Sequence, residues 1–408
     1  MRHTPRRIPY RTLLAATALV AAVLAPMAAT PAAAEHATAS VPSVAPHDND
    51  HNPPGGGLGP ELTARLDKAV AKVREEAGVP GVTVGLWMPG KGSYVRSTGV
   101  ADTVTGEPMR EDLHIRIGSE TKTFTVTALL ELVDEHRVRL DDPIGKYVKG
   151  VPNGRHITLR HLAEMRSGLF SYTEDPDFVQ ALLSDPYRSF TPPELLKYAF
   201  QHANTADPGE VFFYCNTNTV LLGLVIEKVT GRPLADVVTE RVIRPAGLHH
   251  TLFPRGNEFP EPHAHGYTNQ TLSGEIEDST YWNPSWAWAA GAMISDMRDL
   301  RRWAEVVADG TLLSPETQRQ RTRFLSVGIP GTGYGLGLLN SGGWIGHNGS
   351  LPGYENVTVH LPSKDATLVV VLNTDVLVDG VEPSSLFARA ITEIVTPDNV
   401  YDRPVQAR

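Results

Sequence analysis

Cysteine is nearly absent: Cys215 alone occurs in 408 residues. No internal disulfide can form, and the core must hold the fold without covalent help. Positive charge is also short, with 37 Lys and Arg against 46 Asp and Glu and a formal charge of −9. A surface of that sign argues against nucleic acid or an anionic membrane as partner. No internal repeat is visible, which removes solenoid architectures. Long apolar runs are missing except near the start, and the C-terminus has no apolar tail that would hold the chain to a membrane.

That one apolar run follows an Arg-rich start and ends in small residues at Ala34, the pattern of a secretory signal peptide over residues 1–34. A membrane anchor is the alternative, but the run is short and Pro26 closes it. The expected product is therefore secreted, with no stable membrane anchor. Removing Arg2, Arg6, Arg7 and Arg11 leaves 33 basic and 46 acidic residues, a charge of −13. Residues 35–58 are rich in Pro, Gly and small polar residues and read as a flexible tether. The HDNDH run at 47–51 offers metal ligands, but bunched His and Asp in a tether are more often only solvated.

Beyond the tether, residues 61–77 carry a helical apolar period, and residues 81–101 read as a hairpin turning at PGKG. Residues 141–308 are mostly helical with proline-bearing connections. TGYGLGLLN, GWIGHNG, YENVTVHLP and ATLVVVLNT are β runs, and residues 384–395 form a closing amphipathic helix. Strands at both ends with helices between them predict an α/β fold: an antiparallel sheet flanked by helices (residues 59–140 and 309–400) with an inserted helix-rich lobe (141–308) and a cleft between them.

Chemistry is concentrated at residues 114–140. Alternating apolar residues up to Ile117 give a strand, Gly118 turns it, and a buried helix follows. Ser119 then sits in the entry to the helix with Lys122 one turn on, on the same face. A serine hydroxyl becomes a nucleophile when a base takes its proton, and a lysine does this when burial and nearby positive potential lower its pKa. The plain alternative is a capping serine with a surface lysine.

Two further stretches complete the picture. In PGEVFFYCNTNTV, Tyr214 and Asn216 stand on a polar interruption ahead of an apolar helix, where a tyrosine can shuttle a proton and an amide can bind substrate; core packing and helix capping are the alternative. In GWIGHNGSLPGY, His347, Asn348 and Gly349 lie on a glycine-flanked strand, and the Ser350 N–H can join that of Ser119 in an oxyanion hole; a hairpin turn with an exposed histidine is the alternative. Cys215 is a rival nucleophile, although unpaired cysteines are usually small buried hydrophobes.

S-x-x-K, Y-x-N and a Lys/His-x-G triplet, in this order and at these spacings, resemble the three motifs of the penicillin-recognising serine hydrolases. ITLRHLAEMRSGLFSYTED, WAAGAMISDMRDLRRW and YGLGL are similar to the branch that holds secreted D-alanyl-D-alanine carboxypeptidases, class C β-lactamases and related esterases. The resemblance spans residues 59–395. It implies a β-lactamase/transpeptidase-like fold, Ser119 as acylated nucleophile, Lys122 as its base and Tyr214 as proton shuttle. It implies His347 in the place of the family's Lys or His, and substrate contacts from Asn216, Trp286, Asn348, Gly349 and Ser350. Trp286 alternatively packs the helical lobe. No cofactor or metal is implied.

Within that resemblance, His rather than Lys at position 347 implies a D-Ala-D-Ala carboxypeptidase acting on peptidoglycan stem peptide, with β-lactams as ligands, over a class C-like β-lactamase. An esterase of the same fold is the next reading, and a noncatalytic cell-wall peptide or β-lactam binder the one of another class. Against a carboxypeptidase, no Lys or Arg follows YGLGL until Lys364, and Asn348 replaces the more usual Ser or Thr. Either a protonated His347 holds the substrate carboxylate, or the substrate does not end in one.

Overall fold

The computed structural model describes residues 57–402. The expected leader, most of the tether and the HDNDH run lie outside the described residues. The tether ends sooner than its composition suggests. Gly57 bridges to Ser93, and the Leu58 N–H donates to the Ser93 carbonyl at 3.2 Å, because Leu58 is a buried part of the core.

Helix α1 (Pro60–Ala77) begins with a proline and stops at Gly78, whose φ is +63°, the usual asymmetry of helix ends. The hairpin of β1 (Gly81–Met88) and β2 (Gly92–Gly99) follows. Next comes β3 (Ile115–Arg116), then the 3-10 turn Gly118–Glu120 and α2 (Thr121–Asp134). Helices α3 (Leu159–Ala163), α4 (Pro176–Ser184), α5 (Pro192–Phe200), α6 (Asn216–Thr230) and α7 (Leu234–Val238) follow. Of these, α6 and α7 pack on α2. Two short pairs follow in which β4 (Tyr267–Thr268) joins β5 (Glu277–Asp278), and β6 (Ile294–Ser295) joins β3.

After α8 (Met297–Asp309) and α9 (Pro315–Arg321) the chain returns to strands. These are β7 (Leu325–Ser326), β8 (Thr332–Tyr334), β9 (Leu339–Ser341), β10 (Trp344–Leu351), β11 (Tyr354–Leu361) and β12 (Ala366–Leu372). Helix α10 (Pro383–Val395) closes the fold. Eight strands make one antiparallel sheet in the order β2-β1-β12-β11-β10-β9-β8-β7. The N-terminal hairpin thus completes the C-terminal sheet, with Val84 opposite Val370.

Every residue of β11 and β12 is buried, as strands covered on both faces must be. Val82, Val84, Val357 and Leu368 share a core with Leu66 of α1 and Phe387 of α10, while α8 covers the opposite face. TGYGLGLLN is two strands rather than one run. Gly337 takes φ +63°, the Gly335 N–H donates to the Leu338 carbonyl at 2.8 Å, and the resulting turn rests on Val126 of α2.

Helix α2 is buried almost all round, from Thr121 to Leu130. Its threonines are compatible with that burial because Thr123, Thr125 and Thr127 donate to the carbonyls of Glu120, Ala289 and Thr123. Phe124 stacks on Trp303 of α8 at 3.9 Å between ring centroids, a contact worth about 0.5–1.5 kcal/mol beyond the area it buries. Finally, β10 pairs with β11 over residues 345–351 but with β9 only over 344–346. From His347 onward β9 leaves that edge, and the Gly118–Glu120 turn lies against β10.

Candidate active site

Ser119 stands in the 3-10 turn that opens α2, so the sequence reading of a strand passing through Gly118 into a helix holds locally. Gly118 adopts φ +50°, and a side chain on it would meet the backbone nitrogen of Ser350 at 2.7 Å; glycine is required there for both reasons. One turn on, Lys122 Nζ lies 2.9 Å from Ser119 Oγ and donates to the Ala290 carbonyl at 2.8 Å. Lys122 has no exposed surface. Burial holds the amine in place against the Ser119 hydroxyl, within reach of its proton.

Ala290 belongs to the WAAGAM stretch that runs beside the nucleophile. The Ile117 N–H donates to the Met293 carbonyl at 3.0 Å, and the Met293 N–H donates to Thr121 Oγ1 at 3.1 Å. The carbonyl that orients Lys122 is therefore fixed by the same stretch that clamps the start of α2.

Tyr214 reaches the site from the residue pair preceding α6. Its ring lies 4.9 Å from Lys122 Nζ and 6.1 Å from the His347 ring. His347 is buried on β10, not exposed in a hairpin turn. Its Nδ1 lies 2.6 Å from the Asn348 carbonyl and its Nε2 3.1 Å from the Tyr334 hydroxyl. A carbonyl can only accept, so Nδ1 carries the proton; in the neutral ring Nε2 then accepts from Tyr334. With both nitrogens engaged by the protein, His347 is poorly placed to serve as a cation for a substrate carboxylate.

Asn216 begins α6 and is half-buried. Its Nδ2 donates to Thr173 Oγ1 at 3.2 Å and its backbone N–H to Ser171 Oγ at 3.1 Å. Gly349 and Ser350 lie where β10 meets the Ser119 turn, and the Asn356 amide donates to the Ile117 carbonyl at 2.9 Å beside them. Asn348 is turned away from His347, as alternation along a strand requires, and donates to Glu382 Oε2 at 2.7 Å. The contacts of Trp286 belong to the helical lobe: its carbonyl accepts from the Tyr172 hydroxyl at 2.7 Å and its ring lies 6.2 Å from Phe178.

Cys215, the rival nucleophile, is buried and donates to the Leu169 carbonyl at 3.4 Å. Burial pushes its thiol up to about 11, so thiolate is scarce at neutral pH. Glu120, beside Ser119, is fully buried, and burial raises its carboxyl well above the usual range. Arg321 lies beneath it, donating to Thr127 Oγ1 and the Thr123 carbonyl, and burial lowers its guanidinium to about 9.

Sequence reasoning missed Tyr334 and Ala290. Both lay within blocks it singled out, YGLGL and WAAGAM, but nothing in either block marked the hydroxyl that holds His347 or the carbonyl that holds Lys122.

Residues 66–388 match the Beta-lactamase family. The chain is 33% identical to a D-stereospecific amidohydrolase from Streptomyces sp., with a TM-score of 0.74 over 82% of this chain and 99% of that one. It is 27% identical to a penicillin-binding protein homologue from Pyrococcus abyssi, with a TM-score of 0.69 over 81% of this chain and 77% of that one. It is 28% identical to a D-aminopeptidase of Brucella anthropi over 76% of this chain and 59% of that protein. The matches span 59–62% of the length of the curated relatives. With a serine, a lysine and a tyrosine gathered at the opening of α2, this chain belongs to the Beta-lactamase family of acyl-enzyme serine hydrolases.

Proposed function

We propose that the protein is a secreted amidohydrolase that cleaves the amide bond following a D-configured amino acid. The observation that carries the reaction type is the 2.9 Å approach of Lys122 Nζ to Ser119 Oγ, with the Tyr214 ring 4.9 Å from the same nitrogen. Ser119 Oγ attacks the carbonyl carbon while Lys122 takes its proton. The N–H groups of Ser119 and Ser350 hold the oxyanion. Tyr214 passes a proton to the leaving nitrogen, the C–N bond breaks, and an ester on Ser119 remains. Water then attacks that ester, gives its proton back through the same groups, and the acid product leaves.

The likeness to a D-stereospecific amidohydrolase and a D-aminopeptidase supports the D-configured substrate. The narrower reading, a D-Ala-D-Ala carboxypeptidase of peptidoglycan, is supported by the penicillin-binding relative. It is weakened by the absence of Lys or Arg from residue 324 to residue 363, because a desolvated terminal carboxylate needs a cation. Secretion rests on the leader-like first 34 residues.

Turnover of D- and L-amino acid amides, D-Ala-D-Ala peptides and short acyl esters tests the proposal. A D-amide preferred over its L-enantiomer and over the carboxylate-ended peptide is expected, with the acyl adduct seen by intact mass in the wild type and missing in Ser119→Ala. An adduct that persists in that variant overturns the mechanism; a better D-Ala-D-Ala peptide substrate replaces the proposed substrate class.

A further inference from the structure

The segment that brings Tyr214 to the site sends its side chains to two different places. Phe213 packs into the large helical core, whereas Phe212 and Tyr214 join a separate small cluster with Met165, Tyr334, Leu339 and Val327. The Phe213 N–H donates to the Met165 carbonyl at 2.9 Å and fixes that arrangement. On the sheet side, Tyr334 of β8 stands opposite Leu339 of β9, so the two side chains share a face. The partner of Leu339 on β10 is Gly346, which has no side chain.

This cluster begins at the group that delivers the proton. The Tyr214 ring is 4.9 Å from Lys122 Nζ, the Tyr334 ring is 6.3 Å from that of Tyr214, and the Phe212 ring is 5.6 Å from that of Tyr334. Met165, Tyr334 and Leu339 are buried, but Phe212, Tyr214 and Val327 keep part of their surface in solvent. An apolar wall therefore leads outward from the reacting centre, and part of it stays open. A leaving atom protonated by Tyr214 carries its substituent toward this wall, because Ser119 and Lys122 occupy the other side of the tyrosine.

The wall offers no cation. Residues 324–363 contain no Lys or Arg, Arg166 beside Met165 directs its guanidinium to the Ser326 carbonyl at 2.6 Å, and both ring nitrogens of His347 are engaged. A carboxylate brought against these side chains would lose water without gaining a partner. An apolar substituent would instead bury surface on both sides of the contact.

We infer that Phe212, Leu339 and Val327 are specificity-determining residues: they bind the leaving group and select substrates in which it carries an apolar, ring-sized substituent. None of the three touches the reacting atoms. The inference rests on the acyl-enzyme reading of Ser119, and it narrows the proposed amide substrate to those that release a hydrophobic amine.

The methylamide and benzylamide of D-alanine test it, with methyl and benzyl acetate run beside them. Within each pair the leaving groups differ by the ring alone. The kcat/KM ratio of a pair is measured on one preparation and divided by the ratio of the two rates with hydroxide. The wild type should prefer the benzyl member of each pair about tenfold, and Phe212→Ala should remove most of that preference. Such a ratio does not depend on how much of a variant is folded. Should Phe212→Ala fail to fold, Val327→Ser, at a partly exposed position, should lower the same ratio.

A wild-type ratio near one in both pairs, or a benzyl preference that the substitutions leave unmoved, overturns the inference. A benzyl preference among the esters without turnover of either amide removes the proposed amide substrate and leaves the inference standing. Turnover of both D-alanine amides at equal corrected rates does the reverse.

Discussion

A β-carbon on Gly349 would lie 1.9 Å from the carbonyl oxygen of Ile117, so the third motif and the chain entering the nucleophile's turn are in direct backbone contact. Both sides of this contact are main chain, held on one side by the β10–β11 pairing and on the other by the Ile117 to Met293 hydrogen bond. Neither can give way cheaply. Gly349→Ala should cost about 2–3 kcal/mol of stability and slow acylation, because it pries Ser350 from Ser119. Urea midpoints and acylation rates of the folded fraction check this; wild-type acylation in the variant would refute the contact's role.

Tyr214→Phe keeps the ring that packs 6.3 Å from Tyr334 and 6.1 Å from His347 and removes only the hydroxyl. The expected outcome is a fall in kcat of about 10²–10⁴ with little change in KM, since the proton path and not ground-state binding is lost. Steady-state kinetics with an amide substrate decide it. A variant with undiminished kcat rules out Tyr214 as the shuttle.

Cys215 behaves as a core residue. With its thiol pushed up to about 11 by burial, it should resist iodoacetamide in the folded protein and react once the chain is unfolded in urea. Cys215→Ala should retain activity within about twofold and lose about 1 kcal/mol of stability. Rapid alkylation of the native enzyme accompanied by inactivation is the contrary result.

Glu355 sets a dependence of stability on pH. Burial and the Glu382 charge raise its folded value well above the ordinary 4.5. The folded protein then keeps a proton that the unfolded chain releases, so this group's contribution weakens stability as pH rises from about 4.5 toward the raised value. Glu355→Gln, which mimics the protonated acid, should flatten that decline: similar melting temperatures near pH 4 and a higher one for the variant near pH 8. Parallel melting profiles for the two proteins would show that the carboxyl is not held protonated.

Sequence alone determined what is local. Pro and Gly marked the ends of α1 and the turn between β1 and β2, and Ser119 and Lys122 were paired by helical periodicity, which acts over a single turn and needs no knowledge of the rest of the chain. The join of the two terminal strand sets was legible because strands with unpaired edges must find partners.

Tertiary structure decided the rest. That Tyr214 meets Lys122, that Ala290 supplies a carbonyl to it, that Tyr334 holds His347, and that Asn348 faces Glu382 rather than the cleft all depend on how distant segments pack. The TGYGLGLLN segment shows the limit most plainly: its composition suits a strand throughout, yet contact with Val126 of α2 and the positive φ of Gly337 fold it back on itself. Periodicity fixes which residues share a face, whereas only the packed core fixes what that face meets.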